Sequence, residues 1–194
     1  MKATKIKNLN YKSFKKAIIE IKPSKITRGG IGVHALRNLK KATIVAYAKY
    51  LGEDFFLSKA NYHKLDAITK SRIKNFCAIS PEGFSVPRDI NYISIPWHMN
   101  HCCDGNVGFD SDGNFVTIKN VKKGEELCYD YGLIISDPKF KLLCKCGSYN
   151  CRKNITGSDW KNEEFRKKNY KYMTPELKNI IKLNIKLNRN KYGL

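Results

Sequence analysis

Three cysteines fall close together near the C-terminus, Cys144, Cys146 and Cys151, spaced C-x-C-x4-C around Gly147. A segment this short cannot bury a core of its own, so something other than apolar packing must hold it. Zinc does this in small lobes, through four tetrahedral ligands that are often thiolates. The cluster provides three. The adjacent pair Cys102-Cys103 is the candidate source of the fourth, and adjacent side chains point in different directions, which leaves one of the two to bind. Three metal-free thiols, buried or reactive, are the competing reading, because C-x-C lies outside the usual zinc-finger spacing.

The compartment bears on that choice. Residues 1–22 contain no apolar run followed by small residues, so no secretory signal is read, and no stretch reaches the ~18 apolar residues of a membrane helix. An intracellular protein is expected, cytoplasmic or in a nucleus, working as a monomer or homodimer without a membrane. In such a chain close cysteine spacing points to metal or catalysis before disulfides. At 194 residues with 42% apolar content, one globular domain with short extensions fits. The net charge of +20 comes from thirty lysines and seven arginines that are scattered along the chain. Two explanations stand: a lysine-rich compositional bias, or an acidic partner such as nucleic acid or nucleoprotein attracted at long range.

Along the chain, 12–21 reads as a short helix or strand ended by Pro23, and 42–50 as a strand ending near Gly52. Residues 58–76 read as a helix capped by Ser58, with Leu65, Ile68 and Ile73 on its apolar face. Asp112-Gly113-Asn114 separates Val107–Phe109 from 115–118 as in a hairpin, and a strand follows Lys123-Gly124 over 127–131. Ser158 is the expected cap of a helix carrying Trp160, Glu164 and Phe165. Thr174-Pro175-Glu176 starts another, with Leu177, Ile180, Ile181 and Ile185 on the face that packs against the body.

Gly30-x-Gly32-x-x-Ala35 also fits a dinucleotide fingerprint, with Glu53 or Asp54 about twenty residues on. That motif needs a strand before it and a crossover helix after it. Pro23 interrupts the first, and 36–41 is too short for the second. Close approach of backbone to a ligand suits these glycines better.

Five stretches, in order, resemble the SET-domain family over roughly 25–156. Gly30-Ile31-Gly32-Val33-His34-Ala35 resembles its glycine motif, and Tyr50-Leu51-Gly52-Glu53 the strand end that follows. Asn100-His101-Cys102-Cys103-Asp104-Gly105-Asn106 resembles N-H-S-C-x-P-N, and Gly124-Glu125-Glu126-Leu127-Cys128-Tyr129-Asp130-Tyr131-Gly132 resembles G-E-E-L-x-x-D-Y-G. Cys144-Lys145-Cys146-Gly147 with Cys151-Arg152-Lys153 resembles the post-SET zinc motif. Cys102 stands where the family usually has Ser and Gly105 where it has Pro; a cysteine-rich region before the domain is not found.

The resemblance implies a β-rich (α+β) fold of small sheets, in which the Asn100 segment threads past the Tyr131 segment as a pseudoknot. It divides the chain into an N-terminal arm (1–22), a SET domain (23–136) with a short helical insert, a post-SET zinc lobe (137–156) and a C-terminal helical extension (157–194). It implies transfer of a methyl group from S-adenosylmethionine to a lysine of a protein substrate, a histone or another basic protein. A non-catalytic, zinc-stabilised module that binds nucleoprotein is the rival. Cys103, with Cys144, Cys146 and Cys151, is the implied zinc set. Gly30, Ile31, Gly32, Asn100, His101 and Tyr131 are implied cofactor contacts, with Ile155 or else Trp160 over the adenine. Tyr131 and Tyr50 are implied at the reacting centre and lysine channel, where Tyr92 and Trp97 are further aromatic candidates. Tyr129 stands at a Phe/Tyr position, where a hydroxyl crowds the channel and favours addition of a single methyl.

Overall fold

The computed structural model describes residues 16–48 and 55–192. Strand β1 (Ile19–Pro23) pairs antiparallel with β2 (Ile31–Ala35), with Ile19 opposite Ala35 and Pro23 opposite Ile31. Proline has no N–H to continue a ladder, so the chain turns after it. The Ser24 hydroxyl accepts the N–H groups of Ile26 and Thr27 at 3.0 and 2.8 Å, and Ser24 N–H closes the turn on the Gly30 carbonyl at 2.9 Å. Ile31 and Gly32 thus lie inside a strand, and no helix follows them, which removes the dinucleotide-binding reading. The strand expected at 42–50 is the shorter β3 (Ile44–Ala46), preceded by a turn with Ala42 at φ 67°. Tyr50, the implied channel residue, lies outside the described residues.

A small insert follows. Its three-stranded sheet runs β4 (Phe55–Ser58), β6 (Gly83–Val86), β5 (Ala78–Ile79), with α1 (Lys59–His63) and α2 (Ala67–Phe76) between β4 and β5. The single helix expected at 58–76 is therefore two. Ser58 caps the first, but Asp66 caps a second by accepting the N–H groups of Ile68 and Thr69 at 2.9 and 3.0 Å. Ile73, Cys77 and Phe84 form the insert's own core, whereas Ile68 faces water.

The chain then enters the main sheet. β7 (Asn100–His101), β8 (Val107–Phe109), β9 (Phe115–Thr117) and β10 (Glu126–Tyr129) follow, and the sheet order is β1-β2-β10-β8-β9-β3 with β7 also on β10. β8 and β9 form the expected hairpin, and Gly113 supplies its left-handed turn at φ 78°. β10 runs antiparallel to β2 on one side and parallel to β7 and β8 on the other. Two segments some 25 residues apart, at 100–106 and 126–131, thereby lie side by side.

Two-stranded β11 (Lys141–Leu143) and β12 (Asn154–Thr156) frame the cysteine-rich lobe. A short 3-10 turn, Asp159–Lys161, precedes α3 (Glu163–Asn169), whose cap is Asn162 rather than Ser158: the Asn162 side chain accepts Phe165 N–H at 2.9 Å. Helix α4 (Pro175–Tyr192) starts at the Thr174-Pro175 signal. Leu177 and Ile181 join Val33, Met99, Phe109, Leu127, Leu133 and Trp160 in the main core, while Ile185 is exposed. No helix among the described residues is long and apolar enough to cross a membrane.

Candidate active site and metal cluster

β10 organises the site, and Asn106 shows how. β7 is only two residues long, yet the ladder continues because the Asn106 side chain imitates a peptide. Its Nδ2 donates to the Glu126 carbonyl at 2.8 Å and its Oδ1 accepts Cys128 N–H at 3.0 Å. Gly105, in the family's proline position, lies against the same strand. A Cβ there would sit 2.9 Å from the Cys128 carbonyl oxygen, so glycine is what permits the approach.

On the other flank, the buried Glu126 carboxylate gathers two distant stretches. It accepts the Ser24 hydroxyl at 2.9 Å, Lys25 N–H at 2.7 Å and Asn100 Nδ2 at 2.9 Å. Asn100 Nδ2 also donates to the Ile31 carbonyl at 2.8 Å. Gly32 leaves the space that the Glu126 side chain fills, since any Cβ at Gly32 would clash with the carboxylate. Gly32 therefore makes room for an internal carboxylate.

Tyr131 follows β10 directly. Its hydroxyl donates to the Met99 carbonyl at 3.2 Å and its N–H donates to His101 Nδ1 at 3.1 Å, with the two rings edge-to-face at 5.2 Å. Burial pushes the Tyr131 phenol up to about 12. Tyr129 lies tilted beside it with ring centroids 5.2 Å apart, among Phe109 and Phe115, and burial pushes its phenol well up too. His101 moves the other way: burial takes it down to about 4 against the opposing pull of Asp130. It is neutral at pH 7. Because Nδ1 accepts from Tyr131, the proton sits on Nε2, which faces Cys103 Sγ at 3.4 Å.

Asn100, His101 and Tyr131 meet on a cleft of about 880 Å³, within the roughly 300–1,000 Å³ usual for small-molecule sites. Ile79, Phe84, Phe140 and Leu142 add an apolar wall, and Thr27 and Arg28 close another side. Several residues named from the sequence stand elsewhere. Gly30, Ile31 and Gly32 do not line the cleft; the turn before them does. Ile155 is fully buried opposite Leu142 in the β11–β12 pair, and Trp160 lies in the main core with Nε1 on the Gly157 carbonyl at 2.9 Å. Phe140 and Leu142 occupy the wall instead. Tyr92 is exposed, and Trp97 packs on the insert's core.

Below the cleft, the Sγ atoms of Cys103, Cys144, Cys146 and Cys151 lie within 4.8 Å of one another. Cys103 and Cys144 are 3.9 Å apart, close to the ~3.8 Å edge of a tetrahedron with 2.3 Å zinc–sulfur bonds. Cys102 is buried and directed at the Cys128 thiol. Backbone N–H groups of Arg152 and Cys146 point at the sulfurs of Cys103 and Cys144, at 3.3 and 3.4 Å, as thiolate ligands require for charge dispersal. Four thiols in this arrangement fit zinc.

Arg152 was not singled out by its sequence context. Its guanidinium forks onto Asp130, adds Asp159 at 2.9 Å and stacks over Phe165 at 4.8 Å. Paired carboxylates raise its already high pKa. It ties the lobe to the residue before Tyr131.

Comparison with known proteins finds histone-lysine N-methyltransferases among the similar sequences. Human histone-lysine N-methyltransferase 2D is 33% identical over 133 residues, covering 64% of this chain and 2% of that protein. Drosophila melanogaster histone-lysine N-methyltransferase trr is 28% identical over 131 residues, covering 64% of this chain and 5% of its own length. The chain thus spans a few percent of the curated relatives it matches. A solved humanized mutant of the Chaetomium thermophilum Polycomb Repressive Complex 2, bound to the inhibitor GSK126, aligns with a TM-score of 0.42. Its identity is 23%, and the match covers 62% of this chain and 15% of that one. The SET domain model matches residues 30–132, from the glycine motif at the start of β2 to Tyr131-Gly132 after β10. With that span exceeding half of its length, the chain belongs to the SET-domain family.

Proposed function

We propose that this protein is a protein-lysine N-methyltransferase that uses S-adenosylmethionine and holds one zinc ion in its thiol cluster. The observation that carries the reading is the meeting of Asn100, His101 and Tyr131 on one cleft, across two strands paired in parallel. S-adenosylmethionine, when bound, supplies a methyl group on a positively charged sulfonium. Asn100, His101, Phe140 and Leu142 line the cleft in which it would lie, the last two as an apolar wall. The Tyr131 phenol stays neutral and donates to Met99, so its lone pairs remain free to orient a methyl group through weak C–H···O contacts. It does not act as a base. The substrate lysine arrives as a neutral amine by losing its proton to water, which a desolvated channel favours. Positioning by fixed dipoles accounts for most of the rate.

Histones or other basic proteins are the proposed substrates, by analogy with the names of the relatives. Transfer of labelled methyl to candidate proteins, with lysines mapped by mass spectrometry, tests the reading. Tyr131→Phe lowers transfer by about 10²-fold or more while binding of the cofactor persists. Cofactor uptake without transfer to any protein would leave a binding module in place of an enzyme.

A further inference from the structure

The backbone that carries Tyr131 into the cleft is held from both sides. Its N–H donates to His101 Nδ1, and its carbonyl accepts Ile135 N–H at 2.9 Å. The next N–H, of Gly132, donates to Asp130 Oδ1 at 2.9 Å, so the Asp130 carboxylate bridges the two neighbours of the tyrosine. That carboxylate is buried and would be an uncompensated charge on its own. Arg152 takes both of its oxygens, and such a fork fixes orientation as well as distance. Two groups of the C-terminal segment fix Arg152 in turn. Asp159 accepts from its guanidinium at 2.9 Å, while Thr156 N–H and Oγ1 donate to Asp159 at 3.1 and 2.6 Å. The Phe165 ring lies against the guanidinium at 4.8 Å and also covers Gly132, where a Cβ would stand 2.7 Å from the ring. Arg152, Asp159 and Phe165 all lie beyond residue 132, where the match to the SET model ends.

We propose that Arg152 is a positioning residue for methyl transfer: with Asp159 and Phe165 it holds Asp130, and through Asp130 the backbone that aims the Tyr131 ring. This role rests on the reading of the chain as a methyltransferase, and it gives the segment after residue 156 a part in that reaction. Arg152 lies outside the lining of the cleft, so its effect passes through Asp130 rather than through contact with a ligand. Its N–H to the Cys103 sulfur is a backbone contact, which a side-chain replacement leaves in place. Support of the thiol cluster and support of Tyr131 are therefore separable. Misplacing a reacting group by ~1 Å costs on the order of 10²-fold in rate. A loosened Asp130 thus shows in kcat before it shows in cofactor binding.

Amide exchange and labelled-methyl transfer by the zinc-loaded full chain test it together. Arg152→Lys keeps the charge but cannot fork. Its Gly132 amide, read by NMR without cofactor, exchanges about tenfold faster or more. Its kcat falls by about tenfold or more, while zinc content is kept and S-adenosylmethionine affinity by calorimetry stays within about twofold. Lys167→Gln, which breaks the exposed Glu163–Lys167 pair on the helix that carries Phe165, changes neither exchange nor kcat. In a Tyr131→Phe background, Arg152→Lys costs less than about twofold more, because the hydroxyl it serves to aim is gone. If Arg152→Lys loses zinc, Asp159→Asn carries the same cycle, with a loss of about threefold or more in kcat. Additive losses in the cycle would show general damage and overturn the proposal. Unchanged Gly132 exchange or unchanged kcat in Arg152→Lys would overturn it as well. Absence of transfer by the wild type, to any protein, would instead remove the methyltransferase reading and this role with it.

Discussion

One imidazole stands between Tyr131 and the thiol cluster. His101 accepts the backbone N–H of Tyr131 on one nitrogen and faces Cys103 sulfur with the other, which requires it to be neutral with its proton on Nε2. Burial secures that state by taking its pKa to about 4. The tyrosines are held neutral by the same cause acting on an acid. A phenol titrates ordinarily near 10, and Tyr131 is raised to about 12, so its proton stays on through that range. Methylation is then expected to rise between about pH 8 and 10 with the fraction of neutral substrate amine. A decline in that interval that Tyr131→Phe removes would contradict the assignment. Tyr129 is proposed to bear on product rather than rate. Its ring fills the corner between Phe109, Phe115 and Tyr131, and losing the hydroxyl frees space for a bulkier amine. Wild type is expected to add mainly one methyl, and Tyr129→Phe to give di- and trimethyl-lysine, as intact-mass spectra of a peptide substrate would show. Trimethylation by the wild type would remove the idea.

Elements were legible where local signals act alone. Thr174-Pro175 starts α4, and Leu177, Ile180 and Ile181 turn inward as the apolar spacing requires. Ile185 does not, because the helix outruns the body it packs on, a length that periodicity does not contain. The two halves should differ in energetic weight. Leu177→Ala, at 1% exposure, costs about 2–5 kcal/mol, whereas Leu187→Ala, at 67%, stays within about 0.5 kcal/mol, by urea unfolding. Residues 58–76 were read as one helix because the apolar face runs across Asp66; the carboxylate's grip on Ile68 and Thr69 N–H groups interrupts it. The cysteines that follow the short strand Lys141–Leu143 drew the reading toward metal and away from Phe140 and Leu142, which wall the cleft where Ile155 had been expected.

At the scale of the molecule, motif order revealed the convergence of 100–106 with 126–131, whereas the partners of Glu126 could not be read. Ser24 and Lys25 lie 102 and 101 residues away from it, and no local pattern marks such a pairing. The thiol cluster has a similar reach, since Cys103 belongs to the cleft segment and the other three to the lobe. Removing metal should therefore affect stability and cofactor binding together. Chelation is expected to lower the unfolding temperature and weaken S-adenosylmethionine binding by about tenfold or more, with metal content and calorimetry as the measures. Full affinity in metal-free protein would contradict this.

The fit of Glu126 into the space beside Gly32 carries one further consequence. The two positions behave as a single lock and key, so drift at either is confined by the other. A methyl group added at residue 32 has nowhere to go unless the carboxylate withdraws, and its withdrawal releases Ser24, Lys25 and Asn100 at once. Paired replacements, a larger residue at 32 with a shorter one at 126, are the route by which such a wall could be rebuilt.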